Sequence, residues 1–228
     1  MSLILSIETA ASVCSAALHE HGALTGSRKL TNGRSHSTNL APMISDLLRE
    51  SGHSPKELNA VAISKGPGSY TGLRIGTSTA KGICYALDIP LIAIDTLIAM
   101  CHLANKENPG NYDLCPMLDA RRMEVYTLIC NAHLTVKMDI RAIVVEENSF
   151  SAELDENPIL FFGEGMPKTR HILENHPNAY FLDNIFPLAE AVGFLALEKY
   201  RNRHFENLEA YEPFYLKDFI ATVPRKLI

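Results

Sequence analysis

The strongest constraint on the fold is an order of predicted strands and helices that occurs twice along the 228 residues. Between residues 3 and 105, short apolar segments bounded by turn residues predict three strands, then a helix, a strand, a helix, a strand and a helix. The stretch KENPGNYD at 106–113 is typical of a domain boundary because it is polar and contains proline and glycine. The same order of elements then repeats as far as residue 201, without a repeat in the sequence itself.

Two βββαβαβα halves predict an α/β protein with a duplicated ribonuclease-H-like fold, as in actin-like ATPases (the ASKHA fold). The predicted boundary gives an N-terminal half, residues 1–105, and a C-terminal half, residues 106–228. The first long helix is expected to be capped by Ser37 or Thr38 and to end near Ser51. A shared topology carries no information on chemistry, so function has to come from particular residues.

Composition and charge exclude several classes of protein. Hydrophobic residues make up 46% and charged residues 21%, which is ordinary for a globular protein and excludes a disordered chain. The net charge of −5 disfavours a stand-alone nucleic-acid binder, because affinity for phosphates comes from clustered cations. No apolar run reaches the roughly 18 residues of a membrane helix, and the first residues lack the basic leader of a signal peptide. Five cysteines without a CxxC spacing favour reduced thiols, so we expect a cytoplasmic protein without membrane contact.

The segment GPGSYTGLRIGTSTAKGICYAL, residues 66–87, is the most informative part of the sequence. It matches neither the P-loop, nor the GxSxG motif around Ser69, nor the GxGxxG motif of dinucleotide-binding folds. Its apolar and small residues cover an arc of about 200° on a helical wheel, wider than the roughly 100° that one sheet contact needs. Small residues recur every four positions along this arc: Gly68, Gly72, Gly76 and Ala80. The pattern allows two interpretations, a partner protein or a second contact within the chain.

Acidic residues near the ends of predicted strands are weaker candidates. Glu8 follows the first strand, where ribonuclease-H-like enzymes place a metal-binding carboxylate, and Asp119 and Glu124 lie near other strand ends. Acids at such positions more often cap loops or face water. His36 follows a polar loop and has a loop contact as its default role, and the HxxxH spacing of a metal site does not occur. We therefore expect no metal and no cofactor.

Five segments, in this order, resemble one family: ILSIETAAS, SHSTNLAPMI, KGPGSYTGLRIGTSTAKG, DARRMEVY at 119–126 and a GEG turn. They are similar to the TsaB (YeaZ) family, the bacterial partners of TsaD in making threonylcarbamoyladenosine on tRNA. The resemblance covers the first 126 residues and thins afterwards to the GEG turn and the terminal EPFYLK. Glu8 stands where the family more often has aspartate. The positions that carry the family motifs are Glu8, His36, Gly66, Gly68, Ser69, Thr71, Arg74, Asp119, Arg121 and Glu124.

The resemblance implies an actin-like fold and a role as a non-catalytic relative of TsaD. TsaD carries an HxxxH pair, and the related stretch here, IDTLIAMCH, offers only His102. Members of the family pair through the helices that match residues 38–50 and 71–87, either with TsaD or, in its absence, with a second copy. The interface residues that this implies are Leu40, Met43, Ile44, Leu47, Tyr70, Gly72, Leu73, Gly76, Thr77 and Ala80.

The function implied by the resemblance is that of an accessory subunit. TsaD, with TsaE, would transfer a threonylcarbamoyl group to the adenosine beside the anticodon of tRNAs that read codons beginning with A. This chain would contact tRNA only through the complex. Two alternatives are a metal-dependent, glycoprotease-like peptidase and a stand-alone actin-like ATPase. A peptidase would need an activated water or a nucleophile with a base, and the sequence offers neither.

Overall fold

The computed structural model describes residues 2–31 and 36–217. The elements of the first half are the strands β1 (Leu3–Glu8), β2 (Cys14–Glu20), β3 (Ala23–Leu30), β4 (Ala60–Ser64) and β5 (Leu91–Ile94), and the helices α1 (His36–Glu50), α2 (Tyr70–Leu87) and α3 (Thr96–Ala104). The strands form one sheet in the order β3-β2-β1-β4-β5. β3, β2 and β1 are antiparallel, and β1, β4 and β5 are parallel.

The second half repeats this arrangement. Its elements are the strands β6 (Asp113–Asp119), β7 (Glu124–Cys130), β8 (Val136–Val144), β9 (Ile159–Phe162) and β10 (Ala179–Leu182), and the helices α4 (Ser151–Glu156), α5 (Met166–Leu173) and α6 (Ala189–Arg201). The second sheet has the order β8-β7-β6-β9-β10, which corresponds strand for strand to the first. The predicted duplicated fold, with two βββαβαβα halves, is therefore confirmed.

The central strand β1 is buried at all six positions because helices cover both faces of the sheet. Side chains alternate along a strand, so Leu3, Leu5 and Ile7 pack in the cluster that contains α1. Ile4 points to the opposite face and packs in the cluster that contains α6. This double burial explains why LILSI reads as a nearly continuous apolar run rather than an alternating one.

The two halves exchange their last helices. Val192 and Ala196 of α6 pack against Ile4 and Ile92 of the first sheet. Leu97, Met100 and Cys101 of α3 pack against the second sheet. Each sheet is therefore completed by a helix from the other half of the chain.

The start of α1 differs from the prediction. The helix already includes His36, so Ser37 and Thr38 lie in its first turn and the predicted cap at these residues is wrong. The residues that precede the helix, 32–35, lie outside the described part of the chain. Across the described ranges, no helix is both long and apolar enough to cross a bilayer.

Candidate functional site

The two helices predicted to pair with a partner, α1 and α2, turn their apolar stripes toward the core of the chain. Leu40, Met43, Ile44 and Leu47 of α1 are at most 6% exposed, and Leu73 of α2 is fully buried. Gly72, Gly76, Thr77 and Ala80 are also buried, so Tyr70, which is half-buried, is the only predicted interface residue that is not buried. The apolar side chains of the predicted set therefore pack in the chain's own core, and one of them, Ile44, also lines the outer surface of the helix pair.

The small-residue stripe of α2 makes its close contact within the chain. A Cβ atom added at Gly72 would overlap the carbonyl oxygen of Thr9, and one added at Gly76 would overlap Thr9 Oγ1. Gly68 lies equally close to the carbonyl of Ala10. Of the two interpretations of this pattern, the structure supports the contact within the chain, because the glycines leave room for the loop that follows β1.

The outer surface of the helix pair combines a groove with one protruding aromatic ring. The groove lies between α1 and α2, has a volume of about 480 Å³ and is lined mainly by Ala41, Ile44, Leu48, Leu58 and Ile83. Tyr85 of α2 is 85% exposed, and Gly82 is exposed with open space around its Cα. The sequence analysis did not select Tyr85; the available signal was a large aromatic ring among the polar residues of this helix.

The start of α2 is joined to the rest of the chain by hydrogen bonds and close backbone contacts. Ser69 donates its N–H to the carbonyl of Ala10 at 2.7 Å, and its Oγ accepts from the N–H of Gly72 at 3.3 Å. Ser69 is therefore the N-cap of α2, and Thr71 lies exposed in the first turn. Gly66 has a φ of +113° and lies directly against the carbonyl of Phe214. These contacts give the GPGSYTG motif a structural role in joining α2 to the rest of the chain.

Tyr70 and Arg74 form a small cluster with the last described segment of the chain. The Tyr70 hydroxyl accepts a hydrogen bond of 2.7 Å from Arg74, and the ring centroids of Tyr70 and Tyr215 are 5.0 Å apart. The N–H of Phe214 also donates to the carbonyl of Lys65 at 2.7 Å. Phe214 and Tyr215 thus lie beside the beginning of α2.

Glu8 is fully buried at the carboxyl end of β1. Its Oε1 accepts a hydrogen bond of 2.6 Å from the N–H of Ala10, whereas Oε2 has no partner among residues 2–31 and 36–217. Ser64 Oγ lies beside the carboxyl group but outside hydrogen-bond geometry. Burial raises the pKa of Glu8 to about 7, and the hydrogen bond from Ala10 offsets only part of this effect. Glu8 therefore titrates near neutral pH.

The loop after β1 connects the two halves. Ser12 donates a hydrogen bond from Oγ to Glu164, which belongs to the GEG turn of the second half. The N–H of Ser12 donates to the other carboxylate oxygen of Glu164 at 3.4 Å. His36 Nε2 lies 3.0 Å from the carbonyl oxygen of Ala11, so His36 holds the start of α1 against the same loop.

Asp119 and Glu124, the acids predicted at the second sheet, are both paired with lysines. Lys168 contacts the Asp119 carboxylate, whose Oδ1 also accepts from the N–H of Arg121 at 2.8 Å. Burial acts to raise the pKa of Asp119, but Lys168 and Arg121 together outweigh it and hold this pKa below its usual range. Glu124 forms an ion pair with Lys217. Both carboxylates therefore stabilise the hairpin between β6 and β7 and its neighbours.

Metal-ligating residues are dispersed. The described ranges contain no group of three or more His, Cys, Asp or Glu side chains placed to hold a metal ion. His102, in the stretch related to the HxxxH motif, stacks on Phe194 of α6 with 4.4 Å between ring centroids. All five cysteines are buried and unpaired. His102 thus contributes to the packing of α3 against α6.

Comparisons with known proteins agree with this architecture. A family model described as TsaD, tRNA N6-adenosine threonylcarbamoyltransferase, matches residues 30–224. Component A of the (R)-2-hydroxyglutaryl-CoA dehydratase of Acidaminococcus fermentans superposes with a TM-score of 0.53 at 11% identity, over 90% of this chain and 100% of that one, which shows a shared fold alone. Fold and family model together define an actin-like protein related to TsaD.

Closer relatives narrow the assignment. The TsaB protein of Escherichia coli, named as a tRNA threonylcarbamoyladenosine biosynthesis protein, is 39% identical over 123 residues, which are 54% of this chain and 52% of that protein. YeaZ from Pseudomonas aeruginosa superposes with a TM-score of 0.80 at 26% identity, over 95% of this chain and 100% of that chain. The chain belongs to the TsaB (YeaZ) family. It spans about half the length of the curated E. coli and Haemophilus influenzae relatives that it matches.

Proposed function

We propose that this chain is a non-catalytic subunit that pairs with TsaD for threonylcarbamoyl transfer to tRNA. The observation that carries the proposal is the apolar groove of about 480 Å³ between α1 and α2. Tyr85 adds an 85% exposed ring elsewhere on the surface of α2. Apolar surface and exposed aromatic side chains are both frequent at protein interfaces. The tRNA-modification role named for the relatives supplies the partner, and a cytoplasmic location follows from that role.

The acidic residues support an accessory rather than a catalytic role. Glu8 is sealed from solvent, Asp119 is paired with Lys168, and Glu124 is paired with Lys217. Acyl transfer from an adenylate requires groups that stabilise a developing oxyanion and orient two substrates. We assign that chemistry to TsaD, acting with TsaE, and we assign to this chain the task of holding TsaD in its active arrangement.

The same surface serves a homodimer when TsaD is absent. A two-fold interface uses one self-complementary patch on both copies, so a patch occupied by TsaD is closed to a second copy. Added TsaD is therefore expected to convert the homodimer into a heterodimer. A stable complex in which TsaD binds an intact homodimer would contradict this assignment.

Gly82 provides a sharp test of the interface. A Cβ atom at Gly82 meets nothing within 4 Å, so Gly82→Leu leaves the monomer intact and places a bulky side chain on the outer surface of α2. We expect this variant to lose co-elution with TsaD in gel filtration, while the matched control Gly82→Ala retains it. Unchanged affinity of Gly82→Leu in calorimetry would show that TsaD binds elsewhere.

Reconstitution tests the reaction. The chain, TsaD, TsaE, threonylcarbamoyl-adenylate and tRNA are combined, and each component is omitted in turn. We expect modification to require this chain and to survive Glu8→Gln and Glu124→Gln. Peptide or ATP hydrolysis by the chain alone, lost in one of these variants, would favour the peptidase or ATPase alternative.

A further inference from the structure

A second cavity, of about 630 Å³, opens at the end of the first sheet opposite Glu8. One wall is formed where β4 and β5 begin, by Asn59 and Pro90, and by His21 in the turn between β2 and β3. The other wall is the end of α6 and the segment after it, from Tyr200 to Phe205. The cavity shares no residue with the groove between α1 and α2 and is separate from the Glu8 cluster.

The charged residues of this cavity are all basic. Arg201 and Arg203 are exposed, have no ion-pair partner in the described part of the chain, and line the cavity without an acidic neighbour in its wall. Glu20 and Glu206 adjoin lining residues in the sequence but do not line the cavity themselves. The chain has a net charge of −5, yet the opening of this cavity carries two guanidinium groups without ion-pair partners among the described residues. The cavity is therefore a basic site on an acidic protein.

Helix electrostatics account for only one of these arginines. Arg201 lies in the last turn of α6, where a cation interacts favourably with the helix dipole. Arg203 lies beyond the helix and adopts a left-handed backbone conformation with a φ of +55°. The dipole effect fades beyond the last turn, so it gives no reason for the second cation.

Two aromatic rings complete the opening. The ring centroids of Tyr200 and Phe205 are 6.0 Å apart with an interplanar angle of 52°, and Phe205 is 40% exposed. Arginines that contact phosphates and exposed rings that stack on unpaired bases are the combination by which proteins bind single-stranded parts of RNA.

We infer that this cavity binds RNA, with a backbone phosphate at Arg201 and Arg203 and an unpaired base against Phe205. The inference rests on the proposed function, because the RNA is the tRNA substrate of the complex. It adds a direct contact between tRNA and this chain, whereas the sequence predicted contact only through the other subunits. The binding energy comes from the assembled complex, since two cations on an acidic chain give little affinity alone.

The test measures tRNA affinity of the reconstituted complex with TsaD across a series of salt concentrations. Arg201→Gln combined with Arg203→Gln is expected to weaken binding several-fold and to reduce the slope of log affinity against log salt by about one to two, as for lost phosphate contacts. The matched control, Lys106→Gln with Arg141→Gln, removes the same charge from exposed positions in the second half and should keep the wild-type slope. Phe205→Ala is expected to weaken binding at every salt concentration without changing the slope.

Ultraviolet cross-linking locates the contact directly. We expect tRNA to attach to the peptide that contains Tyr200 and Phe205. An unchanged slope in the double variant, with TsaD pairing intact and no cross-link in this peptide, would overturn the inference while leaving the proposed function standing. Loss of TsaD pairing in the double variant, with tRNA contact unaffected, would also overturn it and assign the cavity to a protein partner. A wild-type chain that fails to pair with TsaD would refute the proposed function itself.

Discussion

Gly72 in α2 lies so close to Thr9, at the end of the first strand, that a methyl group on Gly72 would overlap the carbonyl oxygen of Thr9. The same loop receives Gly68 and Gly76. The glycines of the family signature therefore fix how α2 sits on the first sheet. These contacts set the orientation of α2 and so determine which of its residues face away from the chain, among them Gly82 and Tyr85.

Leucine substitutions at two glycines of α2 should have opposite effects on stability. Gly76→Leu forces a side chain into Thr9 and Ile63 and should lower the free energy of unfolding by about 1–3 kcal/mol or more, since the close neighbours include the loop after β1. Gly82→Leu meets no neighbour and should be neutral or stabilising by up to about 1 kcal/mol, because glycine is a poor helix former. Urea denaturation measures the free energy of unfolding of both variants and of the wild type. Equal stability would mean that the stripe does not contact the loop after β1.

The pKa of Glu8 predicts a distinct pH dependence of stability. Because burial raises this pKa from 4.5 to about 7, the folded state binds the proton more tightly than the unfolded state does. Stability should therefore decline as pH rises from about 4.5 to about 7 and level off above, by roughly 3 kcal/mol in total from this group. Denaturation of the wild type and Glu8→Gln across this range should show the difference growing with pH, with Glu8→Gln the more stable at pH 8.

An exposed glutamate provides the control for that experiment. Glu147→Gln changes the same functional group at the surface, so its stability should stay parallel to that of the wild type across the pH range. A difference between wild type and Glu8→Gln that does not vary with pH would contradict the burial of Glu8 in solution.

Tyr211 separates the contribution of a ring from that of its hydroxyl. The residue is 9% exposed and packs in the apolar cluster that contains α1. Its hydroxyl has no hydrogen-bond partner within residues 2–31 and 36–217. Tyr211→Phe should leave the free energy of unfolding unchanged or raise it slightly, because it removes an unpaired polar group. Tyr211→Ala should lower it by about 3–5 kcal/mol through loss of the buried ring. A large loss in Tyr211→Phe would reveal a partner for the hydroxyl.

The exchange of α3 and α6 predicts that neither half folds alone. A fragment of residues 1–105 lacks α6, so Ile4 and Ile92 lose their apolar cover. We expect this fragment to show no cooperative thermal transition. Mixing it with the fragment 106–228 should restore one, detected by near-ultraviolet circular dichroism, because each fragment supplies the other's missing helix. Cooperative unfolding of either fragment by itself would argue for two independent domains.

The order of elements was accessible from the sequence because each strand and helix is marked by its own apolar pattern and turn residues. The sheet order is consistent with that sequence of elements once the halves are recognised as repeats. The sequence does not show which residues cover each apolar face of a helix, since the wide apolar arc of α2 indicates only that two sides of the helix are covered. Burial by the chain itself and burial by a partner produce the same pattern, so the assignment of Gly76 and Leu73 to the interface came from the family resemblance and not from the pattern.

Two features depend on distances that no local pattern encodes. The apolar face of α6 predicts that the helix is buried, yet it does not specify which sheet receives it. The cavity beside Arg203 joins residues at one end of the first sheet with residues of the segment after α6, and these lie far apart in the sequence. The sequence suggested a structural role for Glu8, but its titration near neutrality depends on three-dimensional burial.

The position of α6 in the chain also sets the timing of folding during synthesis. The last strand of the first sheet ends at Ile94, but the helix that covers the sheet begins only at Ala189. At ordinary translation rates the roughly 95 residues between them take about 5–20 s to make. During that interval the apolar face around Ile4, Ala60 and Ile92 lacks the part of its cover that α6 supplies. We therefore expect the newly made first half to expose apolar surface, the kind of surface that causes aggregation of nascent chains, until the ribosome has added α6.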